Sequence, residues 1–180
     1  MHTISRDTPA FFITAVAKDR LPVFRTDAIK VITCQALDEA RKSGGFAIYA
    51  YVIMPDHFHA ITDSILKPSK IIQYLNGIIS RRVIDHLKDH AHNASLQKLK
   101  RESGARGHKY SLWDHHSNAL PILSEDMLMQ KVNYIHQNPV RAGLVDRAQD
   151  YCWSSVRIWK RCPLDEPLMV DIDRINWRRA

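Results

Sequence analysis

Residues 46–62 read FAIYAYVIMPDHFHAIT, and the reading of this stretch decides the fold. FAIYAYVI is a nearly continuous apolar and aromatic run, the composition of a strand. Met54-Pro55-Asp56 supplies turn chemistry, and HFHAIT resumes as a second strand, so the stretch predicts a hairpin. Successive strand residues alternate faces. His57 and His59 therefore project from one side and Phe58 from the other.

Working outward, residues 11–16 (FFITAV) have strand character, and residues 26–41 place Ile29, Ile32, Ala36 and Ala40 at helical spacing, ending before Ser43-Gly44-Gly45. Downstream, residues 68–88 begin with proline and repeat Ile71, Leu75, Ile79, Val83 and Leu87, which predicts a long amphipathic helix with Arg81, Arg82 and Lys88 exposed. Residues 90–109 are polar and basic, interrupted by Gly104 and Gly107, and predict a mobile loop. A fourth strand is expected within residues 110–123, with Pro121 at an end or an edge. Strand-helix-strand-strand-helix-strand is the split βαβ order of an α+β, ferredoxin-like domain: a four-stranded antiparallel sheet with helices on one face. Ser124 then caps a further helix with Glu125 and Asp126 in its first turn. Pro139 should stop it near Asn138. Leu128, Val132 and Ile135 form its buried stripe, and Tyr134 falls at the border of that stripe, about 100° from Ile135. We read residues 1–145 as the main domain and residues 146–180 as a C-terminal extension packed on it.

Of the 180 residues, 45% are hydrophobic and 25% charged, ordinary for a globular domain, while the formal net charge of +7 favours a polyanionic partner. An anionic membrane surface would satisfy that charge as well. Cys34, Cys152 and Cys162 form no CxxC pattern and are odd in number, which fits a reducing cytoplasm. No apolar run approaches the roughly 20 residues needed to span a bilayer, and no signal-like leader is expected.

Tyr134 and Asn138 lie four residues apart and share a helix face. A divalent ion held by His57, His59 and the amide oxygen of Asn138, beside the phenol of Tyr134, would unite a Lewis acid with an oxygen nucleophile. Those are the parts needed to attack a phosphodiester. Such a site suits Mg²⁺ or Mn²⁺ and calls for no nucleotide cofactor. Lys131, one turn before Tyr134, would favour the phenolate. Taken singly, each of these residues also fits a packing role. His115 and His116 are further imidazoles near the fourth strand, of which only one can share a given face. Candidate DNA contacts are Arg81, Arg82, Lys98, Lys100, Arg101, Arg106, Lys109, Lys131, Arg141, Arg157, Trp177 and Arg178, since rings among cations suit stacking and phosphate contact on single strands.

The segments VIMPDHFHAI (52–61), NYIHQNPVRAGLV (133–145) and YCWSSVR (151–157) resemble the REP-associated tyrosine transposases. These belong to the wider HUH superfamily of single-tyrosine, single-strand DNA transposases that includes the small insertion-sequence enzymes. The resemblance runs from about residue 11 to residue 159, and is loosest in residues 90–109 and beyond Trp113. It implies the ferredoxin-like fold, a divalent ion on His57 and His59, Tyr134 as nucleophile, and Asn138 at the position where relatives offer a third ligand, often Gln. It further implies single-stranded or hairpin DNA as partner and strand transfer through a 5′-phosphotyrosine link. A domesticated DNA-binding protein that does not cut, or a phosphodiesterase with a water nucleophile, is the competing reading. Monomer or homodimer stays open.

Overall fold

The computed structural model describes residues 1–101, 109–114, 117–162 and 167–177. Strand β1 (Ala10–Val16), helix α1 (Asp27–Gly44), strands β2 (Ile48–Ile53) and β3 (His57–Thr62) and helix α2 (Pro68–Asp89) come first. Helix α3 (Asn93–Leu99), strand β4 (Asn118–Ile122) and helix α4 (Glu125–Arg141) follow. The strands form an antiparallel sheet in the order β2-β3-β1-β4, the ferredoxin-like arrangement expected from the split βαβ order.

Local chemistry sets the boundaries. Thr26 caps α1 by accepting the Ile29 N–H at 3.4 Å, and Gly45, at φ 70°, closes it in the left-handed conformation. The helix therefore runs through Ser43 and Gly44 instead of ending before them, because the second glycine makes the cap. In α2, Ile71, Leu75, Ile79, Val83 and Leu87 form one buried stripe behind Pro68. The segment expected to be a basic loop is helical in its first part: Leu96 and Leu99, three residues apart, bury against the core beside α2 and hold α3 there. Residues 102–108 of that segment lie outside the described residues. Pro121 sits in β4, an outer strand, where a missing N–H is tolerated. α4 begins at a Ser124 cap that accepts the Met127 N–H at 3.2 Å, and it passes the expected stop at Asn138, carrying Pro139 in its last turn. Proline there removes one donor only. The exit is closed by Gly143 at φ 66° and by the Ala142 N–H on the Asn138 carbonyl at 2.9 Å.

α1 and α2 cover one face of the sheet around Ile13, Tyr51, Ile53 and Phe58. On the opposite face Leu128, Val132 and Ile135 of α4 pack against Phe12, Ala50, Val52 and Ile61. Two-sided burial explains why every residue of β2 is buried and why its sequence is almost unbroken by polar groups. After α4 the chain returns along β2. Ser154 pairs with Val52, the Ile53 N–H donates to the Trp153 carbonyl at 2.9 Å, and helix α5 (Val156–Trp159) follows. Asp171 fastens the later part, accepting two hydrogen bonds from Arg41 at 2.8 Å and the Ile48 N–H at 3.0 Å. No helix among the described residues is long and apolar enough to cross a membrane.

Candidate active site

Strand register decides what surrounds the histidines. β3 runs between β1 and β2, with His59 opposite Thr14 on one side and Val52 on the other. Phe58 enters the α1–α2 core, while His59 stacks on Phe12 at 5.0 Å on the face that α4 covers. The His57 and His59 rings lie 4.9 Å apart. Each has an oxygen at Nδ1: Thr14 Oγ1 stands 2.8 Å from that of His59, and His57 donates to Asp56 Oδ1 at 2.6 Å. Where Nδ1 is the donor, Nε2 keeps its lone pair for a cation, the pattern by which outer partners orient metal-binding imidazoles. Arg20 Nη1 in turn donates to Asp56 Oδ2 at 3.0 Å. It does so from a backbone in which Asp19 and Arg20 both take positive φ, 54° and 52°.

Electrostatics follow from these contacts. Burial, with the charge of His57 behind it, pushes His59 down to about 3, so the ring is neutral and able to ligate. Burial alone would raise the Asp56 carboxyl, yet the hydrogen bonds and charge of His57 and Arg20 outweigh it and hold it below its ordinary value.

α4 brings Tyr134 to this cluster. Its ring lies 5.6 Å from His59 and 5.8 Å from Phe12, and 37% of the residue is exposed, whereas Ile135 beside it is fully buried. Two cations flank the phenol ring, with Lys131 Nζ at 5.9 Å and Arg141 Cζ at 5.2 Å from its centroid. Asn138 donates its amide N–H to the Tyr134 carbonyl at 2.9 Å, so its oxygen is the end left to accept. Among the described residues no group of three His, Cys, Asp or Glu side chains has metal-binding geometry. A cation here would rest on the two imidazoles, each with an outer oxygen, and draw its other ligands from an amide such as that of Asn138 or from phosphate and water oxygens. The residues present fit a divalent ion on those terms.

Sequence reasoning passed over Arg20, Asp56 and Thr14. Only Asp56 carried a signal, its place next to His57 in the turn. It also passed over His136, whose Nε2 lies 3.0 Å from Ser155 Oγ while that oxygen accepts the Tyr51 N–H at 3.0 Å, a clip between α4 and β2. Burial lowers His136 to about 4.

The candidate DNA contacts divide by place. Lys131 and Arg141 stand at Tyr134. Arg81 and Arg82 lie on α2, over the other face of the sheet, both bound to Glu39 at 2.7 to 2.9 Å. Lys98, Lys100, Arg101 and Lys109 are exposed on and after α3. Arg157 donates to the Gln149 carbonyl at 2.8 Å, and Trp177, 38% exposed, meets Trp159 edge to face at 6.2 Å. Trp159 itself is tied to the Tyr49 carbonyl at 2.8 Å. Arg106, Arg178, His115 and His116 lie outside the described residues.

Residues 10–101 match the family described as Transposase IS200 like. A Haemophilus influenzae protein named as a REP-associated tyrosine transposase is 28% identical over 149 residues, which is 81% of this chain and 78% of that protein. The structure of a REP-associated tyrosine transposase bound to a REP hairpin superposes with a TM-score of 0.60 at 18% identity, over 96% of this chain and 90% of that one. The crystal structure of a Deinococcus radiodurans protein named as a transposase gives 0.50 at 18% identity, over 72% and 90%. These two structures speak for the fold. Sheet order, family match and relative agree, and the chain belongs to the IS200-like transposases, in the superfamily of HUH and REP-associated tyrosine transposases.

Proposed function

We propose that this protein nicks and rejoins single-stranded DNA, with Tyr134 as nucleophile and with His57, His59 and Asn138 as the residues that hold a divalent ion, Mg²⁺ or Mn²⁺. The observation that carries the reading is a half-exposed tyrosine whose ring lies 5.6 Å from His59, itself 4.9 Å from His57, with Lys131 and Arg141 within 6 Å of the phenol ring. When bound, the ion would supply positive charge to the phosphoryl oxygens. The remaining steps belong to the chain. Tyr134 Oη attacks the scissile phosphorus in line and its proton passes to solvent; the P–O3′ bond breaks, and the departing O3′ takes a proton from solvent, which leaves a 5′-phosphotyrosine and a 3′-hydroxyl. Lys131 and Arg141 offset charge on the phosphoryl group. The new bond is again a phosphodiester, so a later 3′-hydroxyl can reverse the attack and join strands.

The related structure with a REP hairpin supports hairpin-forming DNA as the substrate. We assign residues 1–145 to catalysis and residues 146–180 to an extension that adds DNA contacts through Arg157, Trp177 and Arg178. A cytoplasmic setting beside chromosomal DNA belongs to the same reading. The deciding experiment incubates the protein with single-stranded hairpin oligonucleotides and Mn²⁺. A denaturation-resistant protein–DNA band, with the 5′-phosphate mapped to the Tyr134 peptide, is expected. Multiple turnover with no covalent adduct would sink the proposal in favour of a water nucleophile.

A further inference from the structure

A cavity of about 410 Å³ opens between the start of α1, the end of α2 and α3, on the layer of the sheet opposite Tyr134. Its floor is apolar, built from Leu21, Pro22, Val23, Leu87 and Leu99. Its rim is basic. Arg25, His86, His92 and Lys98 all line it, and no carboxylate does among the described residues. The acids next to lining residues in sequence, Asp27 and Asp85, face Lys30 at 3.5 Å and Lys88 at 3.2 Å, and Asp89 stands near enough to His86 to act on its charge. One wall carries His86 and His92, their rings 6.1 Å apart, and His90 backs them, 4.1 Å from His86 and 6.3 Å from His92 with 19° between the latter planes.

We propose that this groove is a second DNA contact, which takes one unpaired nucleotide of the strand that Tyr134 engages. The base lies on the His86 and His92 rings over the apolar floor, and its phosphate faces Arg25 and Lys98. Three features select a nucleotide over other anions. Flat rings at the wall offer a stacking platform that any base can join, the apolar floor suits a desolvated base, and guanidinium and ammonium groups at the mouth suit a phosphate. An acidic peptide would satisfy the rim but has no use for the ring pile. The groove is also joined to the candidate active site. The Phe24 N–H donates to the Pro55 carbonyl at 2.9 Å and the Ala17 N–H to the Asp56 carbonyl at 2.8 Å, so the segment that walls the groove is seated on the turn that precedes His57. A strand passing round that end of the sheet reaches both. Exposed Lys100 and Arg101 continue the basic path beyond Lys98.

This inference rests on the single-strand reading of the substrate, and its test separates the two. Ala28 and Ser95 line the mouth at exposed helix positions, so Ala28→Trp and Ser95→Trp fill it without disturbing the core. In a Tyr134→Phe background, which prevents chemistry, affinity for a fluorescent single-stranded oligonucleotide should fall about tenfold or more in each filled variant, the loss of a stacked base. Lys98→Glu should do the same with an unfilled groove. A 5-iodouracil oligonucleotide should crosslink to the peptide that carries His86, His90 and His92. Adduct formation by the wild type, together with unchanged affinity in the filled variants or a crosslink elsewhere, overturns the groove and leaves the Tyr134 reading intact. Weakened binding and the expected crosslink, without any wild-type adduct, uphold the groove and remove the nucleophile. A groove that takes an acidic peptide and not the oligonucleotide overturns the inference.

Discussion

Tyr134 allows the cleanest separation of a structural from a chemical role. Tyr134→Phe keeps the ring between His59 and Phe12, so a structural tyrosine would lose on the order of 1 kcal/mol. The variant is expected to fold, bind divalent ions and hold DNA, yet to give no adduct on a denaturing gel. Cleavage at a comparable rate would shift the attack to water or to another tyrosine. Asp56→Asn tests the support of His57. Losing the carboxylate should weaken Mn²⁺ binding roughly 10- to 100-fold in titration calorimetry without DNA, with little change in the circular dichroism spectrum. Unaltered affinity would mean that Asp56 does not orient the ring. Much of this cluster was legible, because HFH alternation and the helical spacing of Tyr134 and Asn138 are local properties. Thr14 was not. It meets His59 across a separation of 45 residues, and only the pairing register of β1 with β3 brings them together.

Helix α4 shows how a local rule yields to packing. Pre-proline sterics argued for a stop at Asn138, but Ile135, His136 and Pro139 are all buried, and that burial carries the helix one turn further. The His136–Ser155 clip makes this element sensitive to acid. His136 stands at about 4 and His59 at about 3 in the folded protein, against about 6.5 unfolded, so below pH 6.5 the unfolded chain binds protons that the folded one refuses. Stability is therefore whole above pH 6.5 and should fall by roughly 1.4 kcal/mol per pH unit for each ring down to their folded values. Asp63, raised by burial, works with the opposite sign around and above pH 4. Urea titrations of metal-free protein between pH 7 and 4.5 check the prediction. A flat profile would show that neither ring is held neutral.

At the scale of the molecule, the sheet order was readable from the succession of patterns, but the path of residues 146–177 was not. That path is fixed by Asp171 on Arg41 and Ile48, and by Trp159 on the Tyr49 carbonyl, and such bonds between a side chain and distant backbone leave no periodicity in a sequence. Asp171→Ala should cost roughly 1 to 3 kcal/mol in urea, since it removes the hydrogen bonds to Arg41 and leaves the Ile48 N–H without its acceptor, while Asp38 still holds Arg41 at 2.7 Å. A loss below about 0.5 kcal/mol would make the strap incidental. With a net charge of +7, affinity for single strands should fall with salt, by about 0.7 in log K per phosphate contact for each tenfold rise. An affinity indifferent to salt would leave the cations without a partner. The left-handed pair Asp19 and Arg20 has a thermal consequence. Such backbone is unfavourable by roughly 1 to 3 kcal/mol per residue and persists only while its surroundings hold it. Local release of that loop lies below global unfolding in free energy, so warming should detach Arg20 from Asp56 before the sheet melts. Cation affinity would then decline at temperatures where the circular dichroism signal is still native, and the site would fail before the fold does.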